Sequence, residues 1–254
     1  MQQARRLYRE GNLTGAIGQL QNYLRDSPAD KEARVFLFEL LCFTGEFDRA
    51  RKHLLLLAGD SNENRLGTAF YAAALTAEEE RQRWYETPAF AGAESEATGQ
   101  QDCVEPDSVV SGIWNGRPFS GIRDIDPRLG PSLEFLTAGK YHRIEFRNLK
   151  AIRLDEPKRL RDLYWRSANI ELCEEMSSES LHGVLIPVLY PQSYLFDDDQ
   201  TRLGRTTDFA ISGSGQELPF GQRILLIGDQ EVPLLDIRSV AFGPPPQWGG
   251  TAHV

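Results

Sequence analysis

The sequence predicts an α+β chain in which N-terminal helical hairpins pack on a mainly antiparallel β part. Three observations predict it. Gly11, Leu13, Ala16 and Leu20 recur as Gly45, Phe47, Ala50 and Leu54, each pair 34 residues apart, so the chain opens on two copies of a helix–turn–helix unit. Helical periodicity then vanishes from Glu86 to Gly112, where small, polar and Pro/Gly-punctuated residues predict a linker. After Ser111 the chain switches to alternating and β-branched runs separated by turns. The expected organisation is a helical domain over 1–85, an irregular segment over 86–112, a mainly β domain over 113–242 and a flexible tail over 243–254.

Thirty-four residues is the tetratricopeptide period. Glycine at 11 and 45 allows a tight turn, Ala16 and Ala50 let the next helix approach, and Leu13/Phe47 with Leu20/Leu54 fill the seam. One helix runs to Arg9 and a second from Leu13, ending before Ser27-Pro28 because proline cannot continue it. Asp30 caps the next helix, whose Ala33, Leu37, Leu40 and Leu41 form an apolar stripe. Its segment VFLFELL is apolar nearly all round. This helix should therefore be covered on both sides, with Phe38, where a small residue is usual, packed into the other domain. Lys31 to Leu57 thus reads as a joint between the halves as much as an open groove. With barely two repeats, the helical part should lean on the β part. A further helix from about Asn64 to Tyr85 should turn Phe70, Tyr71, Ala74 and Leu75 inward. Its charged tail, Glu78 to Arg83, reads as a solvated face.

In the β part, Phe135–Leu136 and Tyr141–Phe146 flank Ala138-Gly139-Lys140 as a hairpin. Lys150–Leu154, Ser167–Cys173 and Gly183–Leu189 are further strands, with a short helix or turn at Leu160–Tyr164. Gln192–Pro219 is polar and Gly/Ser/Asp-rich and reads as a long loop. Two last strands, Arg223–Ile227 and Val232–Val240, flank the Gly228-Asp229 turn.

Bulk properties exclude several classes of function. A length of 254 residues with 41% hydrophobic and 26% charged content is ordinary for a folded soluble chain. No run approaches the roughly 18 apolar residues of a membrane span, and MQQARRLYREGN lacks the apolar core of a signal peptide, so no membrane insertion is expected. Three scattered cysteines, Cys42, Cys103 and Cys173, predict no disulfide framework and a reducing, cytoplasmic setting. The net charge of -9 argues against a nucleic-acid partner. The basic stretch KRLRDLYWR, Lys158–Arg166, is expected to pair with carboxylates.

Catalytic signals are weak. Cys173 with His182 lacks a local residue to orient either. Asp197-Asp198-Asp199 lacks the alternation and glycine of a calcium loop, and Gly213-Ser214-Gly215 lacks a phosphate loop's context. No cofactor or metal is predicted. Two motifs remain. Asp124–Pro131 (DIDPRLGP) and Arg161–Trp165 (RDLYW) mix charges with prolines or aromatics, and read either as self-paired loop locks or as partner anchors.

At these residues the chain resembles a known family. The pieces GNLTGAIGQLQNYLRDSPADKEARVFLFELLCFTGEFDRA, DIDPRLGPSLEFLTAGKYHRI, DEPKRLRDLYW, LIPVLYPQS, LGRTTDF, GQRILL and PLLDIRSV follow one another as in the ImpE family, also called TagJ or SciE, an accessory component of bacterial type VI secretion. Residues 86–112 are shorter than in many relatives, and Tyr164 and Phe209 stand where Leu and Trp are common. The resemblance implies a non-enzymatic adaptor of the contractile sheath, contacting a helix of the small sheath subunit (TssB) and, through the sheath, the ClpV ATPase. The residues expected to bind that helix are Arg34, Phe38, Leu41 and Cys42 on the helical side, or Asp126, Arg161 and Trp165 on the β side. The alternatives are a hydrolase or ligand-binding enzyme with 192–219 as a lid, and a general peptide-binding scaffold.

Overall fold

The computed structural model describes residues 1–59, 61–86, 109–173, 180–213 and 215–243. The helical hairpins form where the sequence places them. Helices α1 (Gln2–Arg9) and α2 (Leu13–Asp26) turn at Gly11, and α3 (Lys31–Phe43) and α4 (Phe47–Leu55) turn at Gly45. Both glycines have positive φ, +83° and +68°, a conformation that costs an L-residue roughly 1–2 kcal/mol. Asn12 and Asp30 cap α2 and α3, accepting from the amides of Gly15 (2.6 Å) and Ala33 (2.9 Å). Ala4, Ala16, Ala33 and Ala50 are fully buried at the seams, where small side chains let the helices close. A long helix, α5 (Asn62–Glu86), then lies between α4 and the β part.

The β part is antiparallel at every recorded pairing. Its strands are β1 (Ser111–Trp114), β2 (Arg117–Ser120), β3 (Ile122–Asp124), β4 (Ser132–Thr137), β5 (Lys140–Glu145), β6 (Leu149–Leu154), β7 (Trp165–Leu172) and β8 (Ser180–Pro187). These are followed by a short helix α6 (Asp199–Arg202), β9 (Thr207–Ile211), β10 (Glu217–Gly221), β11 (Ile224–Ile227), β12 (Gln230–Pro233) and β13 (Ser239–Phe242). Eight strands make one sheet in the order β2-β1-β13-β6-β7-β8-β4-β5. Strands β12-β11-β3 make a second, and β9 and β10 a separate hairpin. The expected hairpin at Gly139 is β4–β5, and the turn at Gly228 joins β11 to β12.

Several expectations change. The single strand expected over Val232–Val240 is two, broken by a 3-10 turn at Leu234–Asp236 that sends β13 into the large sheet. The stretch Gln192–Pro219 is not a structureless loop, since it carries α6 and β9 and runs into β10. Phe70 is exposed rather than inward. Phe38 is fully buried, but its ring meets Tyr71 of α5 within the helical part. Phe43 and Glu39 of α3 reach the β part, against Tyr164 and Arg161. The first strand begins at Ser111, whereas Cys103 and residues 87–108 lie outside the described residues.

The largest change concerns the charged tail of α5. Glu78, Arg81 and Gln82 are buried, because α5 lies against β4 and β5 and its polar groups find partners there. Arg81 holds Glu134 of β4 through Nε (3.0 Å) and Nη2 (2.9 Å), and Glu78 through Nη1 (2.9 Å). Glu78 also accepts from the Trp165 indole (2.8 Å) and the Gln82 amide (2.6 Å). Glu134 accepts from Tyr85 (2.9 Å) and Tyr141 (2.8 Å), and lies 3.2 Å from Arg223. Arg223 forks onto Asp124 at 2.7 and 3.1 Å. Burial pushes the Glu134 carboxyl up, but Arg81 and Arg223 together outweigh it and hold the group at about 2. Every ion here has a counter-ion, the condition under which buried charge is tolerated. The network ties α5 to β3, β4, β7 and the residue before β11. The apolar core likewise runs unbroken from Ala4 to Val240.

Candidate partner-binding groove

A groove of about 610 Å³ opens where α1, α3 and the segment after β6 meet. Helix α1 contributes Arg5, Tyr8 and Arg9, α3 contributes Glu32, Val35, Phe36 and Glu39, and the β part contributes Lys158–Arg161. These α1 and α3 residues are the ones left over when the apolar stripes turn into the seams. Tyr8 and Phe36 meet edge-on at 5.7 Å and form an aromatic floor, with the Arg5 guanidinium 5.9 Å from the Phe36 ring centre. Arg5 also pairs with Glu32. The β-side wall is fixed by Asp162, whose Oδ2 accepts from the amides of Lys158 and Arg159, each at 2.8 Å. That turn aims Arg161 at α3, where Nη1 lies 3.3 Å from Glu39 and the guanidinium stands 4.9 Å from the Tyr71 ring centre. Burial pushes the Glu39 carboxyl up to about 7 against the pull of Arg161. Arg9, Lys158 and Arg159 are exposed along the rim. An apolar floor with a cationic rim suits an amphipathic segment carrying acidic residues beside its apolar stripe.

The residues expected to bind a partner are dispersed. Only Arg161 lines this groove. Phe38, Leu41 and Cys42 are buried in the helical seams, because α3 is apolar nearly all round and is covered on several sides. Arg34 is half-buried, with Nη1 3.3 Å from His53 Nδ1 and Nη2 donating to the Pro28 carbonyl. Asp126 is buried and accepts from Arg128 Nε (2.9 Å) and Nη2 (2.6 Å). Trp165 is buried on Glu78 and Tyr164. Of the two sets drawn from the sequence, only Arg34 and Arg161 keep partial exposure. The residues that line the groove in their place are Tyr8, Val35, Phe36 and Leu160, with Arg9, Lys158 and Arg159 around them. The one sequence signal for them was the pair of basic clusters, at the N-terminus and in KRLRDLYWR.

Three of the residues considered for catalysis, His182, Asp198 and Asp199, have structural partners. His182 Nδ1 lies 3.2 Å from Asn169 Oδ1. Asp198 caps α6 through the Thr201 amide (2.9 Å). Asp199 accepts from the amide of Leu13 at 2.8 Å, at the start of α2. Arg205 donates to the Tyr8 and Arg9 carbonyls at the end of α1 and stands 5.0 Å from the Tyr8 ring centre. The supposed lid is therefore a strap that satisfies the open ends of the first hairpin. Among the described residues no helix is long and apolar enough to cross a membrane.

Comparison with known proteins agrees with this architecture. Residues 7–74 match the tetratricopeptide repeat family, and residues 116–241 match the family described as ImpE protein. A type VI secretion system accessory component TagJ from Pseudomonas aeruginosa is 30% identical over 265 residues, covering 95% of this chain and 91% of the relative. The chain belongs to the ImpE family. The crystal structure of protein VPA1032 from Vibrio parahaemolyticus shares this ImpE chain's fold with a TM-score of 0.78 at 22% identity, covering 96% of this chain and 98% of that one.

Proposed function

We propose that this ImpE-family chain is a non-enzymatic accessory adaptor of a type VI secretion system that acts in the cytoplasm. It engages the contractile sheath by seating an amphipathic helix of the small sheath subunit (TssB) in the α1–α3 groove, and through the sheath it is coupled to ClpV. The observation that carries the reading is the groove itself, an aromatic floor rimmed by Arg9, Lys158 and Arg159 on a chain whose net charge is -9. The name of the 30% identical relative places that protein in type VI secretion as an accessory component, and supports the same role here. In this mechanism apolar side chains at i, i+3/i+4 and i+7 of the helix cover Tyr8, Val35, Phe36 and Leu160, while its carboxylates meet the rim. Affinity comes from the buried floor, and orientation and encounter rate from the charges. The test is capture of the purified small sheath subunit by the full-length chain, compared with the exposed double variant Arg9→Glu/Arg159→Glu. Capture by the wild type and at least about tenfold weaker capture by the variant are expected. Equal capture by the two would place the sheath contact elsewhere, and no capture by either would end the adaptor reading.

A further inference from the structure

We propose that β9 is a self-association edge, pairing antiparallel with β9 of a second copy of this chain about a two-fold axis at Phe209. The argument starts from hydrogen-bond parity. In an antiparallel pair, alternate residues turn their N–H and C=O toward the partner or away from it. The β9–β10 register places Phe209 opposite Pro219 and Ile211 opposite Glu217. Just beyond the hairpin's named strands, Ser212 donates to Gln216 (2.8 Å) and Gln222 to Thr206 (3.2 Å), so the even-numbered residues of β9 bond inward. Thr207, Phe209 and Ile211 therefore point their backbone groups outward.

The two outer edges of this hairpin differ. On β10, Pro219 has no N–H, and Gly221 is already engaged, donating to Ser193 Oγ (2.8 Å) and accepting from the Tyr190 amide (2.9 Å). On β9, among the described residues, the strand pairs with β10 alone. The same outward residues carry exposed apolar side chains, Phe209 at 50% and Ile211 at 69% exposure. Edge strands are ordinarily blunted by charge, proline or a bulge, and the outward residues Thr207, Phe209 and Ile211 carry none of these.

The strand is its own complement. A two-fold at residue 209 opposes Phe209 to its copy and Thr207 to Ile211, all on one face and all with outward backbone groups, which allows up to about six hydrogen bonds. The only charge in the strand, Asp208, falls opposite Ala210, so no like charges face each other. A five-residue strand buries less area than a standard stable interface, so the dimer is weak and concentration-dependent.

The test is sedimentation velocity of the full-length chain across a concentration series, with Phe209→Lys and Phe209→Glu each examined alone and as an equal mixture. Residue 209 is exposed, and circular dichroism confirms that each variant folds. The expected result is a reversible wild-type dimer, loss of dimer in either variant alone, and its return in the mixture, where unlike charges meet across the axis. A wild type that stays monomeric overturns the proposal. So does a dimer that both variants retain, which places the interface elsewhere, or a mixture that stays monomeric. A monomeric wild type whose capture of the small sheath subunit is lost in Phe209→Lys would assign the edge to that partner instead.

Discussion

Replacing Glu134 with Gln removes a carboxylate shared by two buried arginines. In the folded chain Glu134 accepts from Arg81 at 3.0 and 2.9 Å, lies 3.2 Å from Arg223, and accepts from Tyr85 and Tyr141. Glutamine keeps the volume but cancels the charge, and it turns an NH₂ toward groups that can only donate or that already do so. Arg223 retains Asp124 and Arg81 retains Glu78, so neither guanidinium is stripped bare. The two cations nonetheless face each other without the charge between them. Breaking a buried pair from one side costs about 3–5 kcal/mol, a large part of the roughly 5–15 kcal/mol that stabilises a typical fold. Urea denaturation followed by Trp fluorescence and far-ultraviolet circular dichroism reads this directly, since Trp165 lies on Glu78 in the same network. The sign of the pH dependence gives a second readout. The Glu134 carboxyl is held at about 2, below its ordinary 4.5. Its contribution is therefore present above pH 4.5 and lost as pH falls through that interval toward 2. The wild type should destabilise on this limb, and Glu134→Gln should flatten it. A loss under about 1 kcal/mol with an unchanged acid limb would refute the view that this network joins the two halves.

Other perturbations separate the remaining contacts. Glu39 is raised to about 7 from 4.5, so its contribution is present below pH 4.5 and lost as pH rises through 7; Glu39→Gln should gain on the order of 2 kcal/mol at pH 8 and little at pH 4, and parallel stability–pH curves would contradict this. Asp199→Ala removes the acceptor for the Leu13 amide and should cost about 1 kcal/mol, measured by urea titration. Gly45→Ala forces an L-residue to φ +68° with its Cβ 2.5 Å from the Tyr194 ring, and should cost about 2 kcal/mol or more. Combining it with Tyr194→Ala should recover only the steric share, which a double-mutant cycle resolves.

What could be read from the sequence was local. Turn glycines at 11, 45, 139 and 228 and the buried alanines act within a few residues, so the hairpins of both parts were legible. The β9–β10 hairpin was not, because TDFAI is short and sits among Gly, Ser and Asp, while Pro219 argues against a strand unless its missing N–H faces an edge. The tail of α5 misled for a different reason. Its i,i+3 and i,i+4 charges look solvated locally, and become buried only because Glu134 and Trp165 arrive from 53 and 87 residues away. Three of the candidate partner-binding residues are buried for a related reason. Phe38, Leu41 and Cys42 were chosen for their apolar spacing, and apolar spacing is what drives a face into the core. The face that remains for a partner is the less regular one, Tyr8, Phe36 and Leu160 among cations. Of the basic stretch expected to pair with carboxylates, Arg161 does so with Glu39, whereas Lys158 and Arg159 remain on the rim.

The central claim is that the α1–α3 groove holds a helix of the sheath. Isothermal titration of the full-length chain with a synthetic peptide of that small-sheath-subunit helix tests it most directly. The account predicts one-to-one binding that weakens as salt rises, and that falls by about tenfold or more in Arg9→Glu/Arg159→Glu. Binding of equal strength to wild type and variant at every salt concentration, or no binding at all, would contradict it.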